Sequence, residues 1–330
     1  MEIVPGIHQL KVAMSNSPLA YLNCYLIKGR EGWTMIDTGF STPESFESLK
    51  AGLEGMGISF TDIGAILVTH IHPDHYGLAG KIRQLSPESR LIMHKWEGVL
   101  IESRYLKFVD LQKKIAAMLE KHGVPPIDVS EFKIASMPAL EFVKINFPDY
   151  HLYGGENIST GKFNLEAIWT PGHSIGHLCF YEPKNQLLFS GDHLLPVTIP
   201  NVSYHVETGD NPLGDYLYSL EKIRNLSVSR VLPGHEDCFT DFKGRIDEII
   251  RHHENRAKEI LLILQKNPCN AFDISGELFW NSANAHWESI PVLEKRLAVM
   301  ETIAHLEKMR WENIVQRLVK DDFVFYQVKN

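Results

Sequence analysis

Four side chains that commonly bind metal ions lie within six positions of the segment "AILVTHIHPDHYGLAG", which begins at residue 65. They are His70, His72, Asp74 and His75. In an extended segment His70 and His72 project to the same side, whereas the turn imposed by Pro73 directs the next two ligands elsewhere. The spacing therefore favours two separate pairs of ligands and two neighbouring cations.

Further motifs along the chain carry a histidine or an aspartate beside a glycine. They are Asp37 in "MIDTG", His173 in "WTPGHSIGH", Asp192 in "FSGDH" and His235 in "VLPGHE". Taken singly, each has a simpler explanation, because aspartates beside glycine are common in turns and a lone histidine is more often structural than a ligand. The "IDTG" motif also resembles the signature of aspartic proteases, but those enzymes need a second such aspartate motif, and the sequence has none.

Taken together, the motifs resemble those of the metallo-β-lactamase superfamily, whose H-x-H-x-D-H signature matches the cluster that starts at His70. The resemblance covers roughly residues 1–240 and implies an α/β fold, an αββα sandwich of two mixed sheets flanked by helices, with two metal ions at one edge. The implied ligands are His70, His72 and His173 for the first ion, Asp74, His75 and His235 for the second, and Asp192 as a bridge between both. Asp37 would orient ligands through hydrogen bonds.

The ligand types define the expected chemistry. Imidazole and carboxylate ligands suit zinc, and also manganese or iron, so the expected cofactors are two divalent ions with zinc favoured. Two such ions can share a bridging water whose pKa falls to about 7, which provides hydroxide at neutral pH. One ion can polarise the scissile bond while the hydroxide attacks, and Asp74 is placed to take the proton. The sequence therefore predicts a metal-dependent hydrolase.

The substrate is less sharply indicated. The motif "TPGHSIGH" resembles that of hydroxyacylglutathione hydrolases and favours an ester, thioester or lactone. The main alternative is a phosphodiesterase or endoribonuclease, because some superfamily members with a C-terminal winged-helix-like domain cleave single-stranded RNA. An iron enzyme similar to persulfide dioxygenases would need one metal set, whereas both sets are complete here.

Candidate substrate contacts come from the residues around the metal motifs. They are Tyr76, His193 and Tyr204, while His177 is expected to pack against a neighbouring strand. The loop over residues 193–213 contains Leu194 and Leu195 but no Lys or Arg. This composition favours an apolar acyl group over a row of phosphates, which would need basic partners.

Strand-like segments precede most of these motifs. The first set comprises residues 20–28, 33–37, 65–69 and 90–94, and the second comprises residues 163–170, 177–183, 186–192 and 229–235. A helix is predicted between Pro43 and Met56. Strands with intervening helices indicate an α/β domain, and such folds place their sites at strand ends.

Helical sequence interrupts and then follows this catalytic region, residues 1–240. An insertion over about residues 96–155 begins with an amphipathic helix over 96–125, which either packs on the surface or covers the site. In residues 241–330, two or three helices and a hairpin turning at Lys320 to Asp322 predict a winged-helix-like domain. From Ile246 onward 11 Lys and Arg stand against 13 Asp and Glu, a net charge of −2, which argues against a nucleic-acid partner and against a DNA-binding regulator.

Composition limits the remaining possibilities. The 330 residues are 44% apolar and 22% charged, as in ordinary globular proteins, and the net charge of −8 gives no overall attraction to nucleic acid or anionic membranes. The sequence has neither a membrane-spanning apolar run nor a signal-peptide pattern, so we expect a cytoplasmic enzyme with a small-molecule substrate. A homodimer is compatible with the sequence. The cysteines are expected to be reduced and buried, because no C-x-x-C pair occurs; they are Cys24, Cys179, Cys238 and Cys269.

Overall fold

Two mixed β-sheets form the centre of the fold in the computed structural model, which describes residues 1–14, 19–30, 32–280 and 285–329. Among these residues the first sheet has seven strands in chain order: β1 (Glu2–Val4), β2 (Ile7–Ala13), β3 (Tyr21–Lys28), β4 (Trp33–Ile36), β5 (Ile63–Leu67), β6 (Arg90–His94) and β7 (Tyr150–Leu152). Strands β1 to β4 pair antiparallel, and β4 to β7 pair parallel. The strands predicted in this half of the chain are therefore confirmed.

The second sheet consists of five described strands. They are β8 (Asn157–Ser159), β9 (Asn164–Trp169), β10 (Leu178–Glu182), β11 (Leu187–Gly191) and β12 (Arg230–Pro233), in the spatial order β12-β11-β10-β9-β8. Strands β10 and β11 are buried throughout because both faces of the sheet are covered, which explains their nearly continuous apolar sequence. One face packs on the first sheet, where the rings of Tyr25 and Phe189 lie 5.2 Å apart between centroids.

Helices pack on the outer faces of both sheets and on one another. Among the described residues they are α1 (Pro43–Glu54), α2 (Pro73–Tyr76), α3 (Ala79–Leu85), α4 (Lys95–Ile101), α5 (Phe108–Lys121), α6 (Pro126–Ser136), α7 (Pro212–Arg224), α8 (Phe242–Leu264), α9 (Ala271–Glu277) and α10 (Val292–Trp311). Leu49 and Leu53 of α1 pack on the first sheet, whereas Leu220 of α7 and Ile246 of α8 pack on the second. This arrangement confirms the predicted αββα sandwich. None of the described helices combines the length and the apolar character needed to cross a membrane.

The start of the insertion differs from the prediction. Residues 96–125 do not form one amphipathic helix, because α4 and α5 are separated by a π-helical stretch over Glu102–Leu106. Within that stretch the Tyr105 hydroxyl donates a hydrogen bond to the carbonyl of Ile71, so a contact outside the helix accompanies the change in helical winding. Gly123 follows α5 with φ of 94°, a left-handed conformation that commonly ends helices.

The insertion and the C-terminal segment share one hydrophobic core. Ile115 and Phe132 from the insertion pack with Ile260 and Ile303 from α8 and α10. The chain then forms the predicted hairpin, β13 (Val315–Lys320) and β14 (Phe323–Val328), whose two turn residues have positive φ angles of 49° and 67°. The helices and the hairpin are thus confirmed, while the winged-helix comparison and a domain boundary at residue 240 stay predictions.

All four cysteines are free. Cys24 and Cys179 are buried as expected, whereas Cys238 and Cys269 are partly exposed. Burial raises the pKa of the Cys179 thiol to about 12, so that side chain is uncharged at neutral pH. The buried cysteines therefore act as small apolar side chains in the core.

Candidate metal centre

The predicted ligands lie at strand ends on one edge of the sandwich. His70 follows β5 of the first sheet, while His173, Asp192 and His235 follow β9, β11 and β12 of the second. Pro73 begins the short helix α2, which carries Asp74 and His75. Chain segments from both sheets therefore meet at this edge, and their side chains form three overlapping groups of possible ligands: His70 with His72 and His173, His70 with His75 and Asp192, and Asp74 with His75 and His235.

The first ligand set consists of three histidines. The Nδ1 atom of His72 lies 2.9 Å from Nε2 of His70 and 3.1 Å from Nε2 of His173. Burial, followed by the neighbouring histidines, holds the pKa values of His70 and His72 well below the usual range, and burial also lowers the pKa of His173. Neutral imidazoles offer lone pairs, so these three rings suit a cation better than a further proton.

The second set pairs histidines with carboxylates. Nε2 of His235 lies 3.1 Å from Oδ2 of Asp74, and Nε2 of His75 lies 3.3 Å from Oδ1 of Asp192. Burial by itself would lower the pKa values of both histidines, but the carboxylates of Asp192 and Asp74 outweigh it and raise them. The carboxylates therefore favour positive charge at this point, which a divalent ion would provide in place of protons.

Asp192 faces both sets at once. Its Oδ1 atom lies 3.3 Å from His75 and 3.6 Å from His235, while Oδ2 lies 3.8 Å from Nε2 of His173. Buried atoms here make no hydrogen bond to any described residue, namely Nε2 of His75, Nε2 of His235 and Oδ1 of Asp192. Since unsatisfied buried polar atoms are costly, their convergence fits a bound metal ion. A Cβ atom on Gly234 would stand only 2.6 Å from Oδ1 of Asp192, so this position needs glycine.

Hydrogen bonds on the far side of the rings set the tautomers. Nδ1 of His173 lies 2.8 Å from the carbonyl oxygen of Asn201, and Nδ1 of His235 lies 3.0 Å from that of Tyr21. A carbonyl oxygen can only accept, so each Nδ1 carries the hydrogen and each Nε2 presents its lone pair to the cluster. Both rings are thereby oriented so that Nε2 could bind a metal ion.

Asp37 occupies the position expected of an orienting carboxylate. Its Oδ2 atom lies 2.8 Å from Nδ1 of His75 and accepts from the Thr69 hydroxyl at 2.8 Å, while Oδ1 accepts from the Thr69 amide at 2.8 Å. The backbone of Asp37 has φ of 58°, a left-handed conformation that aspartate adopts more readily than most residues. The carboxylate therefore connects the end of β4 to the chain just before His70.

His177 packs against its neighbouring strand as predicted, and it also contacts the cluster. Its Nε2 atom accepts a hydrogen bond from the Asp192 amide at 3.2 Å, and its Nδ1 lies 2.9 Å from the Thr170 hydroxyl. The ring is fully buried. His177 thus holds the backbone of Asp192, while the side chain of that aspartate points toward the two ligand sets.

Glu97 is a site residue that sequence reasoning missed. This carboxylate has no exposed surface; Oε2 accepts from the Ile71 amide at 2.9 Å and Oε1 accepts from the Gly176 amide at 2.7 Å. Ile71 lies between the first two histidine ligands, and Gly176 lies three residues after His173. Glu97 therefore ties together the two loops of the first set. It lies in the predicted insertion, where no motif marks it.

The suggested substrate contacts are not brought together with the ligands. Tyr76 and His193 have no exposed surface, and Tyr204 is half-buried against the helical cores. The Tyr76 hydroxyl accepts from the Asn146 amide at 2.7 Å, and the His193 ring packs on Tyr216 with centroids 5.0 Å apart. Packing accounts for Tyr76 and His193, and substrate contact by these three residues remains a prediction.

The leucines of the loop after Asp192 do not form an apolar surface that a substrate could contact. Leu194 and Leu195 are buried at 0% and 2% exposure, and the Leu194 side chain belongs to the core beneath the second sheet. Val197, by contrast, is 74% exposed. The expectation that these leucines receive an acyl chain is therefore wrong, because they face the interior.

Comparisons with known proteins agree with this geometry. Residues 19–235 match the family model described as "Metallo-beta-lactamase superfamily". The Bacillus subtilis (strain 168) protein named "Probable metallo-hydrolase YqjP" is 27% identical over 308 residues, which are 92% of this chain and 92% of that protein. The metallo-beta-lactamase family protein TTHA1429 from Thermus thermophilus is 29% identical, with a TM-score of 0.82 over 99% of this chain and 100% of its own.

A second solved structure extends the likeness of fold. A beta-lactamase domain protein from Burkholderia ambifaria gives a TM-score of 0.85 at 24% identity, over 100% of this chain and 94% of its own. Both structures align with nearly the whole chain. The insertion and the C-terminal helices are therefore part of a shared architecture.

Proposed function

The chain belongs to the metallo-beta-lactamase superfamily, and on that premise we propose that it is a dinuclear metal-dependent hydrolase of an ester, thioester or lactone. Metal-dependent hydrolysis agrees with the metallo-hydrolase name of its Bacillus subtilis relative. The count of two ions and the class of substrate are the parts that we propose here.

The single observation that carries the proposal is the sharing of Asp192 between two ligand sets. Three neutral histidines would hold one ion, and His75, His235 and Asp74 would hold the other. The Oδ1 and Oδ2 atoms of Asp192 face different sets. Histidine and carboxylate ligands in this combination suit zinc, with iron or manganese as alternatives.

Two divalent ions bound there would supply activated water at neutral pH and would polarise the scissile carbonyl. The protein contributes orientation and a proton acceptor. Burial raises the pKa of Asp74, but the charges of His75 and of His235, whose Nε2 lies 3.1 Å from Oδ2 of Asp74, outweigh it and lower the pKa to about 2. The Asp74 side chain keeps 16% of its surface exposed, so its ionised carboxylate can accept a proton from entering water.

We favour carbonyl over phosphoryl substrates because of charge and of the motif around His173. The C-terminal segment from Ile246 has a net charge of −2, from 11 basic and 13 acidic residues, and gives no general attraction for a polyanion. The resemblance to hydroxyacylglutathione hydrolases concerns this motif alone and stays a prediction. Cleavage of a phosphodiester or of single-stranded RNA is the alternative outcome of the test.

The test compares substrate classes on one preparation. Protein reconstituted separately with zinc, manganese and iron is assayed with a short thioester, a lactone, bis(p-nitrophenyl) phosphate and single-stranded RNA. For the better of the thioester and the lactone we expect kcat/KM at least about tenfold above that for either phosphodiester, or about 1.4 kcal/mol of transition-state stabilisation. Comparable or faster RNA cleavage would reverse the ranking and establish the nuclease alternative.

A further inference from the structure

A buried arginine without a partner lies on the C-terminal helix α10. Arg296 is only 8% exposed, and it forms neither a hydrogen bond nor an ion pair with any described residue. Burial, together with the nearby charge of Arg104, lowers its pKa to about 10, so it remains protonated at neutral pH. A buried charge without a counter-ion is costly, which makes an absent anionic ligand the physical explanation to examine.

The second arginine adjoins the metal ligands. Arg104 lies in the π-helical stretch, next to Tyr105, whose hydroxyl donates to the carbonyl of Ile71 between the ligands His70 and His72. Its side chain is 15% exposed. The insertion therefore places a guanidinium group beside the loop of the first ligand set.

The loop after Asp192 joins both arginines to the site. His205 of this loop lies 3.5 Å from Nη2 of Arg104, and the amide of Tyr204, the preceding residue, donates to the carbonyl of Met300 at 3.0 Å. Met300 lies one helical turn after Arg296 and on the same side of α10. The loop thus contacts α10 one helical turn after Arg296.

The charges within this cluster do not balance. Glu207 is 3.3 Å from Nε of Arg104 and offsets one guanidinium charge. Glu301, on the same helix as Arg296, instead accepts a hydrogen bond from the Asn201 side chain at 2.9 Å. The Asn201 carbonyl also orients His173, so Glu301 is engaged by the loop that supports the metal ligands and forms no ion pair with Arg296.

We propose that Arg104 and Arg296 form an anion-binding subsite beside the metal centre, which receives a carboxylate or phosphate group that the substrate carries away from its scissile bond. This inference rests on the proposed hydrolase function and narrows its substrate class to anionic acyl compounds. Guanidinium groups suit this task because their planar donors match the oxygens of both anions. One anionic group would balance the excess charge, whereas a nucleic-acid strand would bring a phosphate with every nucleotide.

The first experiment measures the preference between two matched substrates, the succinyl and butyryl thioesters of N-acetylcysteamine. The metal-loaded wild type should hydrolyse the succinyl thioester with the higher kcat/KM. In Arg296→Gln the succinyl-to-butyryl ratio should fall at least about tenfold, chiefly through the KM of the succinyl thioester. Lys295→Gln is the control, because it removes one charge from the adjacent residue of the same helix and should keep the wild-type ratio. An unchanged ratio in Arg296→Gln overturns the subsite.

A second experiment does not depend on hydrolysis. Binding of inorganic phosphate is measured by calorimetry on metal-loaded and chelator-treated protein, and we expect Arg296→Gln to bind at least about tenfold more weakly than wild type and Lys295→Gln in both forms. Equal phosphate affinity in all three proteins overturns the subsite even if thioesters are cleaved. If neither thioester is cleaved but this difference appears, the proposed function fails and the anion subsite stands.

Thermal unfolding separates a binding role from a structural one. Without anion, Arg296→Gln should be as stable as the wild type or more stable, because an uncompensated buried charge is removed. Phosphate should raise the melting temperature of the wild type more than that of Arg296→Gln. A variant that is destabilised without phosphate and still stabilised by it like wild type would assign Arg296 to packing and contradict the proposal.

Discussion

Replacing Glu97 by glutamine tests whether a buried carboxylate from the insertion holds the first metal site together. Glu97 accepts hydrogen bonds from two backbone N–H groups, at 2.7 and 2.9 Å. Glutamine has nearly the same shape but only one acceptor oxygen, so its NH₂ group must face one of these two backbone N–H donors. A hydrogen bond to a charged group contributes about 1.5–3 kcal/mol. We therefore expect unfolding stability to fall by about 1.5–3 kcal/mol.

The lost hydrogen bond should weaken metal binding, because both backbone N–H donors lie beside candidate ligands. The amides in question belong to Ile71, which lies between His70 and His72, and to Gly176, close to His173. Loss of a group that orients metal ligands typically weakens metal affinity by about 10 to 100-fold. Competition with a chromophoric chelator should accordingly show Glu97→Gln losing the first ion at least about tenfold more readily, while the second ion changes less.

Glu182 provides a matched control. This carboxylate is also buried, at 2% exposure, and accepts from the amides of Asn185 at 2.8 Å and Lys184 at 3.3 Å in the turn after β10. Glu182→Gln should lose comparable stability in chemical unfolding but keep wild-type metal affinity. The reasoning is refuted if Glu97→Gln binds both ions like the wild type, or if Glu182→Gln loses metal to the same degree.

The remaining predictions concern the metals and acid stability. Elemental analysis after reconstitution should find two transition-metal ions per chain, and no more than about half an ion would contradict the assignment. Asp192→Ala should abolish most hydrolysis while circular dichroism stays native, since no core methylene is removed; near wild-type turnover would show that Asp192 is not the bridge. Burial, with a smaller effect of Arg317, lowers the pKa of His122 to about 3, whereas the pKa in the unfolded chain is about 6.5. The contribution of neutral His122 to stability is therefore complete above about pH 6.5 and is lost as the pH falls toward 3, because the unfolded chain binds the proton first. In urea unfolding, His122→Phe should gain about 2 kcal/mol relative to wild type between pH 7 and pH 5, and parallel pH curves would contradict this.

The candidate metal ligands could be picked out from sequence because their spacing is local. His70, His72, Asp74 and His75 fall on one strand end, one turn and one short helix, and Pro73 marks the point where the direction changes. The C-terminal hairpin was predictable for the same reason, since two aspartates at its tip adopt the positive φ angles that a two-residue turn requires. Periodicity and turn chemistry act over a few residues, which is the range that a single sequence reveals.

Other elements depended on contacts that local patterns do not contain. The apolar spacing over residues 96–125 predicts one helix, yet a π-helical stretch interrupts it where Tyr105 reaches the metal loop. From sequence alone, Leu194 and Leu195 could line a pocket or belong to a core. In the structure both are buried, and Leu194 packs in the core beneath the second sheet. Hydrophobicity alone states that a side chain prefers burial, and it does not state against which partner.

The sequence by itself determined the ligand types, the strand ends that present them and the order of the helical segments. Only the tertiary structure decided which distant groups support the site. Glu97 accepts a hydrogen bond from an amide 79 residues further along the chain, and Arg296 of α10 is close enough to Arg104 of the insertion for the Arg104 charge to lower the pKa of Arg296. A buried carboxylate or guanidinium takes its role from the donors, acceptors and charges that packing places around it, and those partners are separated in sequence by the folded elements between them.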